Sequence, residues 1–145
     1  TIYKTILKSR SITYIGFDGY FYYYRDEGSI VVSGYKKKHL EALDAVDDIE
    51  ESVKGKGRFD NALSTQYINV IYDIAARNPL LSEFRNKRIQ NNLKAHRMSV
   101  LKDSNAPKRL RGFAAISLLG NRIVLKVVVA RNRRWKVQRR ETKKR

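Results

Sequence analysis

The sequence has no cysteine, only two prolines and no long apolar run, and these absences exclude several classes of protein. Without cysteine there are no disulfides and no thiolate metal sites, which fits a reducing compartment. No apolar run approaches the roughly 20 residues that a membrane helix needs. Residues 1–10 carry three cations but no long apolar stretch, so we expect no secretory signal. Hydrophobic residues make up 42% of the chain, which predicts a folded core and excludes a disordered basic tail.

Negative charge is scarce in the second half of the chain. The net charge is +17, yet residues 1–83 hold 11 Lys and Arg against 12 Asp and Glu. Residues 84–145 hold 20 Lys and Arg, with Asp103 and Glu141 as their only acidic residues. Self-repulsion on this scale destabilises a compact state unless a polyanion neutralises it. This distribution is typical of a nucleic-acid binder, and a merely soluble basic surface is the alternative.

Aromatic rings are concentrated in the stretch GYFYYYRDEG, residues 19–28. Asp18 and Gly19, at the start of this stretch, are a strong hairpin turn signal, because both central residues of that turn need positive φ. The pattern predicts an antiparallel meander with strands at about 12–17, 20–25 and 29–33.

Alternation along these strands gives the meander two different faces. The more apolar face holds Ile15, Phe17, Tyr20, Tyr22 and Tyr24 and is predicted to be core. The other face carries Tyr14, Phe21, Tyr23 and Arg25, a mixture of rings and a cation that suits stacking on bases or contact with a sugar–phosphate backbone. A second core layer is the alternative interpretation of that face.

Three helices are predicted after the meander. Apolar residues recur at helical spacing, Asp60 is a good N-cap and Asn78-Pro79 is a stop signal. The helices are expected at about 36–53, 60–78 and 80–102, with a loop over residues 102–112.

A C-terminal apolar β-hairpin is predicted over residues 113–130. Two strongly apolar segments flank Gly120-Asn121, and a further short strand is expected around Trp135. The predicted fold class is therefore α+β: a three-stranded antiparallel meander, about three helices, an apolar hairpin and a basic tail. We expect a single compact domain over 1–130 and a basic extension over 131–145.

Residues 19–51 resemble the arm-type DNA-binding domain of phage-type tyrosine recombinases. The shared features are the aromatic-rich strand, the YRD-x-G turn and a helix that opens with a Glu-Ala pair, here Glu41-Ala42. In that family the open face of the sheet enters the DNA major groove, so the resemblance implies DNA contacts by Tyr14, Tyr23 and Arg25, and by residues 35–38. The third strand is apolar here where the family's is basic, and no catalytic Arg, His and Tyr domain follows.

The basic half supplies most of the predicted contacts to nucleic acid. Lysine and arginine that neutralise phosphates release counterions, and arginine also makes bidentate phosphate contacts. Trp135 lies among the densest cations and either stacks on a base or packs in the core. The predicted cationic contacts are Arg85, Arg88, Lys94, Arg97, Lys108, Arg109, Arg111, Arg131, Arg133, Arg134, Lys136, Arg139 and Arg140.

Catalytic signals are weak. His39 and His96 are the only histidines, and neither has neighbours at metal-ligand spacing. His96 lies between Lys94 and Arg97 and is the one candidate for acid–base chemistry at a phosphate. Acidic pairs such as Asp47-Asp48 diverge on a helix, so neither a metal site nor a cofactor is predicted.

The sequence therefore predicts a nucleic-acid-binding protein with mainly non-sequence-specific phosphate contacts, DNA being favoured slightly over RNA. Two alternatives stay open: a structural component of a nucleoprotein or viral particle, and a small basic nuclease of toxin type. The predicted partners are nucleic acid and, through the 113–130 segment, a protein neighbour or a second copy, but no membrane. The expected location is intracellular, in the cytoplasm, nucleoid or nucleus, or within a viral particle.

Overall fold

The computed structural model describes residues 8–11, 13 and 35–142, with residues 58 and 132–142 described by their backbone only. The chain divides into two compact units, Thr1–Ser33 and Gly34–Arg145, and every helix named below belongs to the second. The predicted meander lies outside the described residues, apart from Thr13. The single domain predicted over 1–130 stays a prediction.

The described part of the second unit consists of helices and the turns and loops that connect them. Three short 3-10 turns, at Lys37–Leu40, Gly57–Phe59 and Ser117–Leu119, precede longer helices. No β-strand occurs among the described residues, so the α+β prediction is wrong. The helices are α1 (Glu41–Val53), α2 (Asp60–Ala76), α3 (Leu81–Phe84), α4 (Lys87–Lys102), α5 (Lys108–Ile116) and α6 (Asn121–Thr142).

The first two predicted helices are confirmed by α1 and α2. Leu43, Val46 and Val53 of α1 are buried, as their helical spacing indicated. Helix α2 ends as expected before Asn78, whose φ of +56° is a left-handed conformation that asparagine tolerates. Pro79 then prevents the helix from continuing.

The third predicted helix is interrupted at Arg85 and Asn86, where α3 ends and Asn86 caps the start of α4. The Asn86 backbone is extended (φ −48°, ψ 132°), and its side-chain Oδ1 accepts a hydrogen bond from the backbone N–H of Arg88 at 2.9 Å. Asparagine favours such a cap over a helix interior. The predicted continuous helix over 80–102 is therefore two helices, α3 and α4.

The predicted loop over 102–112 is shorter than expected. Residues 103–107 form the connection, and the carbonyl of Pro107 accepts hydrogen bonds from the N–H groups of Leu110 and Arg111 as α5 begins. Proline suits this position because it cannot continue a preceding helix and has a fixed φ.

The predicted hairpin over 113–130 is wrong, because Gly120 separates two helices. Its φ of +107° with ψ 158° is a conformation essentially restricted to glycine. Its carbonyl accepts hydrogen bonds from the N–H groups of Ile123 and Val124, which opens α6. The short strand expected around Trp135 is also wrong, since α6 continues through Thr142.

The core lies around α2, which packs against α1, α4, α5 and α6. Tyr67, Ile68, Ile71 and Ile74 of α2 are all buried. The other helices contribute the following buried apolar side chains: Phe84 from α3, Ile89, Leu93 and Val100 from α4, Leu110 and Phe113 from α5, and Val124 and Val128 from α6. Packing on this shared core positions α4, α5 and α6, which carry most of the positive charge.

Candidate nucleic-acid interface

Helix α6 contains eight lysine and arginine residues and no acidic residue before Glu141. Arg122, Lys126 and Arg131 are exposed. With 3.6 residues per turn, positions 122, 126, 133 and 140 fall within an arc of about 40° on the helix. At 1.5 Å per residue, the 22 residues of α6 extend about 33 Å. The helix therefore presents cationic positions along one side over most of its length.

Helices α4 and α5 add further exposed cations. Arg85 lies just after α3, Lys94 lies on α4, and Lys108 begins α5; all three side chains are exposed. Arg111 on α5 is half-buried. Within the described part of the chain, none of these four lies within 4.0 Å of a carboxylate oxygen.

Arg88 differs from the other predicted cationic contacts because it has two carboxylate partners. Its terminal nitrogens form ion pairs with Asp44 and Asp47 of α1, the second at 2.5 Å. These two pairs connect the first turn of α4 to α1. Arg88 thus has a role in packing two helices, and its charge is largely neutralised there.

Arg97 and Arg109 make contacts to neutral groups of the fold. Arg97 is half-buried, and its Nη1 donates to the carbonyl of Ser117 at 3.5 Å. The Nη2 of Arg109 donates to Asn69 Oδ1 at 3.0 Å, and its guanidinium carbon lies 5.6 Å from the centre of the Tyr72 ring. Arg109 is nevertheless exposed, so its charge remains accessible to solvent.

His96 lies on α4, and its ring contacts side chains of α2. Its ring stacks on Tyr67, with centroids 4.2 Å apart and an interplanar angle of 8°. Its Nδ1 lies 3.1 Å from the hydroxyl oxygen of the buried Ser64. Burial lowers the pKa of His96, and the nearby Glu50 carboxylate partly opposes that shift. These contacts give the ring a packing role, and the candidacy of His96 for acid–base chemistry at a phosphate stays a prediction.

Tyr67 connects this ring to the acidic side of α1. Its hydroxyl lies 2.6 Å from Asp47 Oδ1 and 2.8 Å from Glu50 Oε2, so both carboxylates share one donor. Burial and these two hydrogen bonds raise the pKa of Tyr67. Because Asp47 also pairs with Arg88, a continuous polar network joins α1, α2 and α4.

The remaining predicted contacts lie in the C-terminal part of α6 or outside the described residues. The part of α6 that is described by its backbone alone contains Arg133, Arg134, Lys136, Arg139 and Arg140. Outside the described residues lie Tyr14, Tyr23 and Arg25. Tyr35, implicated by the recombinase resemblance, is half-buried and packs against the core. Its N–H donates to the Arg77 carbonyl at 3.1 Å.

Two exposed cations, Arg122 and Lys126, were missed by the sequence reasoning. They fell within the predicted hairpin, which was expected to be core. Their separation of four residues, continued by Arg133 and Arg140 at intervals of seven, is a helical signal that could have identified them.

No family model, no curated protein and no solved structure matches this chain. The recombinase resemblance therefore stays a prediction. In the described part of the chain, no three His, Asp or Glu side chains are grouped to hold a metal ion. None of the helices described is both long enough and apolar enough to cross a membrane.

Proposed function

We propose that the protein binds nucleic acid through phosphate contacts, with α6 as the principal contact helix. The observation that carries the proposal is the series of cationic positions along one side of α6. On that side, Arg122 and Lys126 are exposed and have no carboxylate within 4.0 Å among the described residues. Without such a partner these charges repel one another, and a polyanion would relieve that repulsion.

Duplex DNA is the form of nucleic acid that this geometry favours. The major groove of B-DNA is about 12 Å wide and admits an α-helix, whereas the deep, narrow major groove of A-form RNA does not. A helix about 33 Å long can contact phosphates over roughly one turn of the duplex. Phosphate contacts carry no sequence information, so the proposed binding is largely independent of sequence. Such binding would take place where nucleic acid is found: in the cytoplasm, the nucleoid or nucleus, or a viral particle.

A salt titration with a charge-neutralised variant tests the proposal. Replacing Arg122, Lys126, Arg133 and Arg140 by Gln removes four cationic positions from one side of α6. If each contacts a phosphate of B-DNA, the slope of log affinity against log salt becomes shallower by about 3.6, at roughly 0.9 for each contact. Affinity for a mixed-sequence duplex is expected to fall by at least about a hundredfold at low salt.

The matched control removes the same charge from the other half of the chain. Lys8, Arg10, Lys54 and Lys56 are exposed, and their replacement by Gln is expected to leave the salt slope nearly unchanged. Equal effects of the two quadruple variants would show that only net charge matters and would contradict an interface on α6.

A mobility-shift comparison tests the preference for DNA. Duplex DNA, single-stranded DNA and structured RNA of equal length are compared at one salt concentration. We expect the duplex to bind most tightly, and the quadruple α6 variant to lose that advantage. Tighter binding to RNA by the unmodified protein would contradict the groove argument.

A further inference from the structure

An apolar stripe on the surface of the bundle begins at the turn before α6. We use this name for Leu118, Leu119, Ile123 and Val127, whose exposed fractions are 52%, 66%, 43% and 40%. Ile123 and Val127 are one helical turn apart on α6, and Leu118 and Leu119 precede that helix across Gly120. Single exposed apolar residues are ordinary, but a group of four within residues 118–127 is the kind of patch that marks an interaction site.

The stripe is distinct from the face of α6 that packs in the core. Val124 and Val128 are buried, and Leu125 packs against the same cluster. Ile123 and Val127 each precede a buried valine, and one residue corresponds to about 100° of rotation around the helix. The apolar content of α6 thus exceeds what the core of the described unit uses.

The width of the stripe favours a helix as its occupant. One apolar residue per turn is the narrow seam of a two-helix contact, whereas an interfacial membrane helix presents a wide apolar face with bulky Trp, Phe or Leu residues. The stripe contains β-branched residues within α6 and leucines only at the turn before it. Such a seam suits the side-chain packing of a second helix.

The charges beside the stripe select the partner. Arg122 and Lys126 lie along one edge of it, and Arg131 lies just beyond Val127. Charges beside an apolar seam determine which helices pair. A second copy of α6 would bring like charges together, because the only acidic residue of that helix is Glu141. A helix with carboxylates beside its seam would form ion pairs instead.

We propose that the apolar stripe binds an amphipathic helix of a partner protein whose narrow apolar seam is flanked by acidic residues. The proposal does not rest on nucleic-acid binding, since its apolar contact is made by side chains that are not among the proposed phosphate contacts. Arg122 and Lys126 serve both proposals, so an acidic helix and a nucleic acid would compete for these two cations.

A designed peptide serves as the probe. It is a labelled helix of about three heptads with Leu at the a and d positions and Glu at e and g. One control peptide has Gln at a and d, which measures attraction by charge alone, and a second has Lys at e and g. Binding of each to the full chain is measured by fluorescence anisotropy. We expect the Leu–Glu peptide to bind at least about tenfold more tightly than either control.

The matched protein variants are Ile123→Gln with Val127→Gln, and Met98→Gln on α4. Met98 is similarly exposed, at 46%. All three changes preserve charge and place a good helix former at an exposed helical position, so folding is not expected to suffer. The double variant is expected to lose the tenfold preference for the Leu–Glu peptide, and Met98→Gln to retain it.

Four outcomes would overturn the proposal. The Gln-seam or Lys-flanked peptide could bind as tightly as the Leu–Glu peptide, or the double variant could retain the preference. Sedimentation could show a dimer that only the double variant dissociates, which would assign the stripe to a second copy. Finally, stripe-dependent binding to phosphatidylserine–phosphatidylcholine vesicles, without binding of the Leu–Glu peptide, would assign it to a lipid surface. Nucleic-acid affinity of the double variant is expected to remain unchanged in every case.

Discussion

Arg88 and Arg122 occupy equivalent positions, each being the second residue of a long helix. A cation there is unfavourable, because the first turn of a helix carries partial positive charge. Arg88 is compensated by ion pairs with Asp44 and Asp47. Arg122 has no such partner in the described part of the chain. The first arginine therefore serves the fold, and the second is available to a partner.

The same contrast extends to the regions around these residues. Around Arg88, the carboxylates of Asp47 and Glu50 accept hydrogen bonds from Tyr67, whose ring stacks on His96. Around Arg122, α6 offers cations and exposed apolar side chains, and among the described residues no carboxylate lies within 4.0 Å of Arg122 or Lys126. Polar groups that satisfy one another stabilise the bundle, whereas charges left unmatched reduce its stability and become useful on binding.

The largest effect is expected from Tyr67, at the centre of the Arg88 region. Tyr67→Ala empties a fully buried site and is expected to lower the free energy of unfolding by about 3–5 kcal/mol. Tyr67→Phe keeps the ring and removes the donor shared by Asp47 and Glu50. It is expected to cost about 1 kcal/mol, since both carboxylates remain hydrated. Urea unfolding measures both.

A comparison of the two Tyr67 variants separates packing from hydrogen bonding. If Tyr67→Phe is as destabilising as Tyr67→Ala, the polar network contributes far more to the free energy of unfolding than hydrogen bonds to exposed carboxylates are expected to. If neither variant changes stability, α2 is not the centre of the core, and the comparison between the two regions fails.

An intermediate effect is expected from the two arginines themselves. Arg88→Gln removes two partly exposed ion pairs and is expected to lower stability by about 1 kcal/mol. Arg122→Gln removes an unfavourable charge from the first turn of α6 and is expected to raise stability by up to about 0.5 kcal/mol. Urea unfolding at low and high salt tests both, because salt screens each interaction. If the two variants change the free energy of unfolding by the same amount and in the same direction, the environments of Arg88 and Arg122 do not differ as described.

Helices α1 and α2 could be predicted because local signals and core packing agree there. Leu43, Val46 and Val53 recur at helical spacing, and Asn78-Pro79 ends α2 by its own conformational preferences. The division at Asn86 was missed because asparagine is tolerated within helices as well as at caps. Only the hydrogen bond from the Arg88 N–H to the Asn86 side chain shows that Asn86 acts as a cap here.

The hairpin prediction failed at Gly120-Asn121 and in the run that follows. A glycine with positive φ suits both a tight β-turn and a connection between helices. The run from Ile123 to Ala130 is rich in β-branched residues, which favour strands on propensity. Burial of Val124 and Val128, four residues apart on one side of α6, outweighs that preference. Tertiary packing therefore decided the structure of this segment.

The sequence showed which half of the chain is cationic, but it did not show which of those cations form ion pairs within the fold. Scarcity of acidic residues after residue 83 identified the basic half. The pairing of Arg88 with Asp44 and Asp47 joins residues more than 40 positions apart, and no local pattern contains that information. Arg122 and Lys126 were missed because the hairpin prediction placed them in the core.

The smallest effect is expected from pH, and it concerns His96 and His39, both of which lie outside α6. Burial lowers the pKa of His96 in the folded chain, so the unfolded chain binds more protons between that pKa and the ordinary value of about 6.5. Stability is therefore full above about pH 6.5 and falls as the pH decreases through that value. Burial, with the charges of Arg77 and Lys38, also lowers the pKa of His39, which adds a loss of the same sign.

Two variants assign this pH dependence to its source. Unfolding by urea is measured at about pH 7.5 and pH 5.5, a range in which exposed carboxylates scarcely titrate. His96→Gln is expected to lose less stability than the unmodified protein between these values, and His39→Gln with His96→Gln less again. Substitutions on α6 are expected to leave the difference unchanged, because no histidine lies on that helix. A drop of equal size in the unmodified protein and in His96→Gln would mean that the ring stacked on Tyr67 titrates as freely in the folded chain as in the unfolded one.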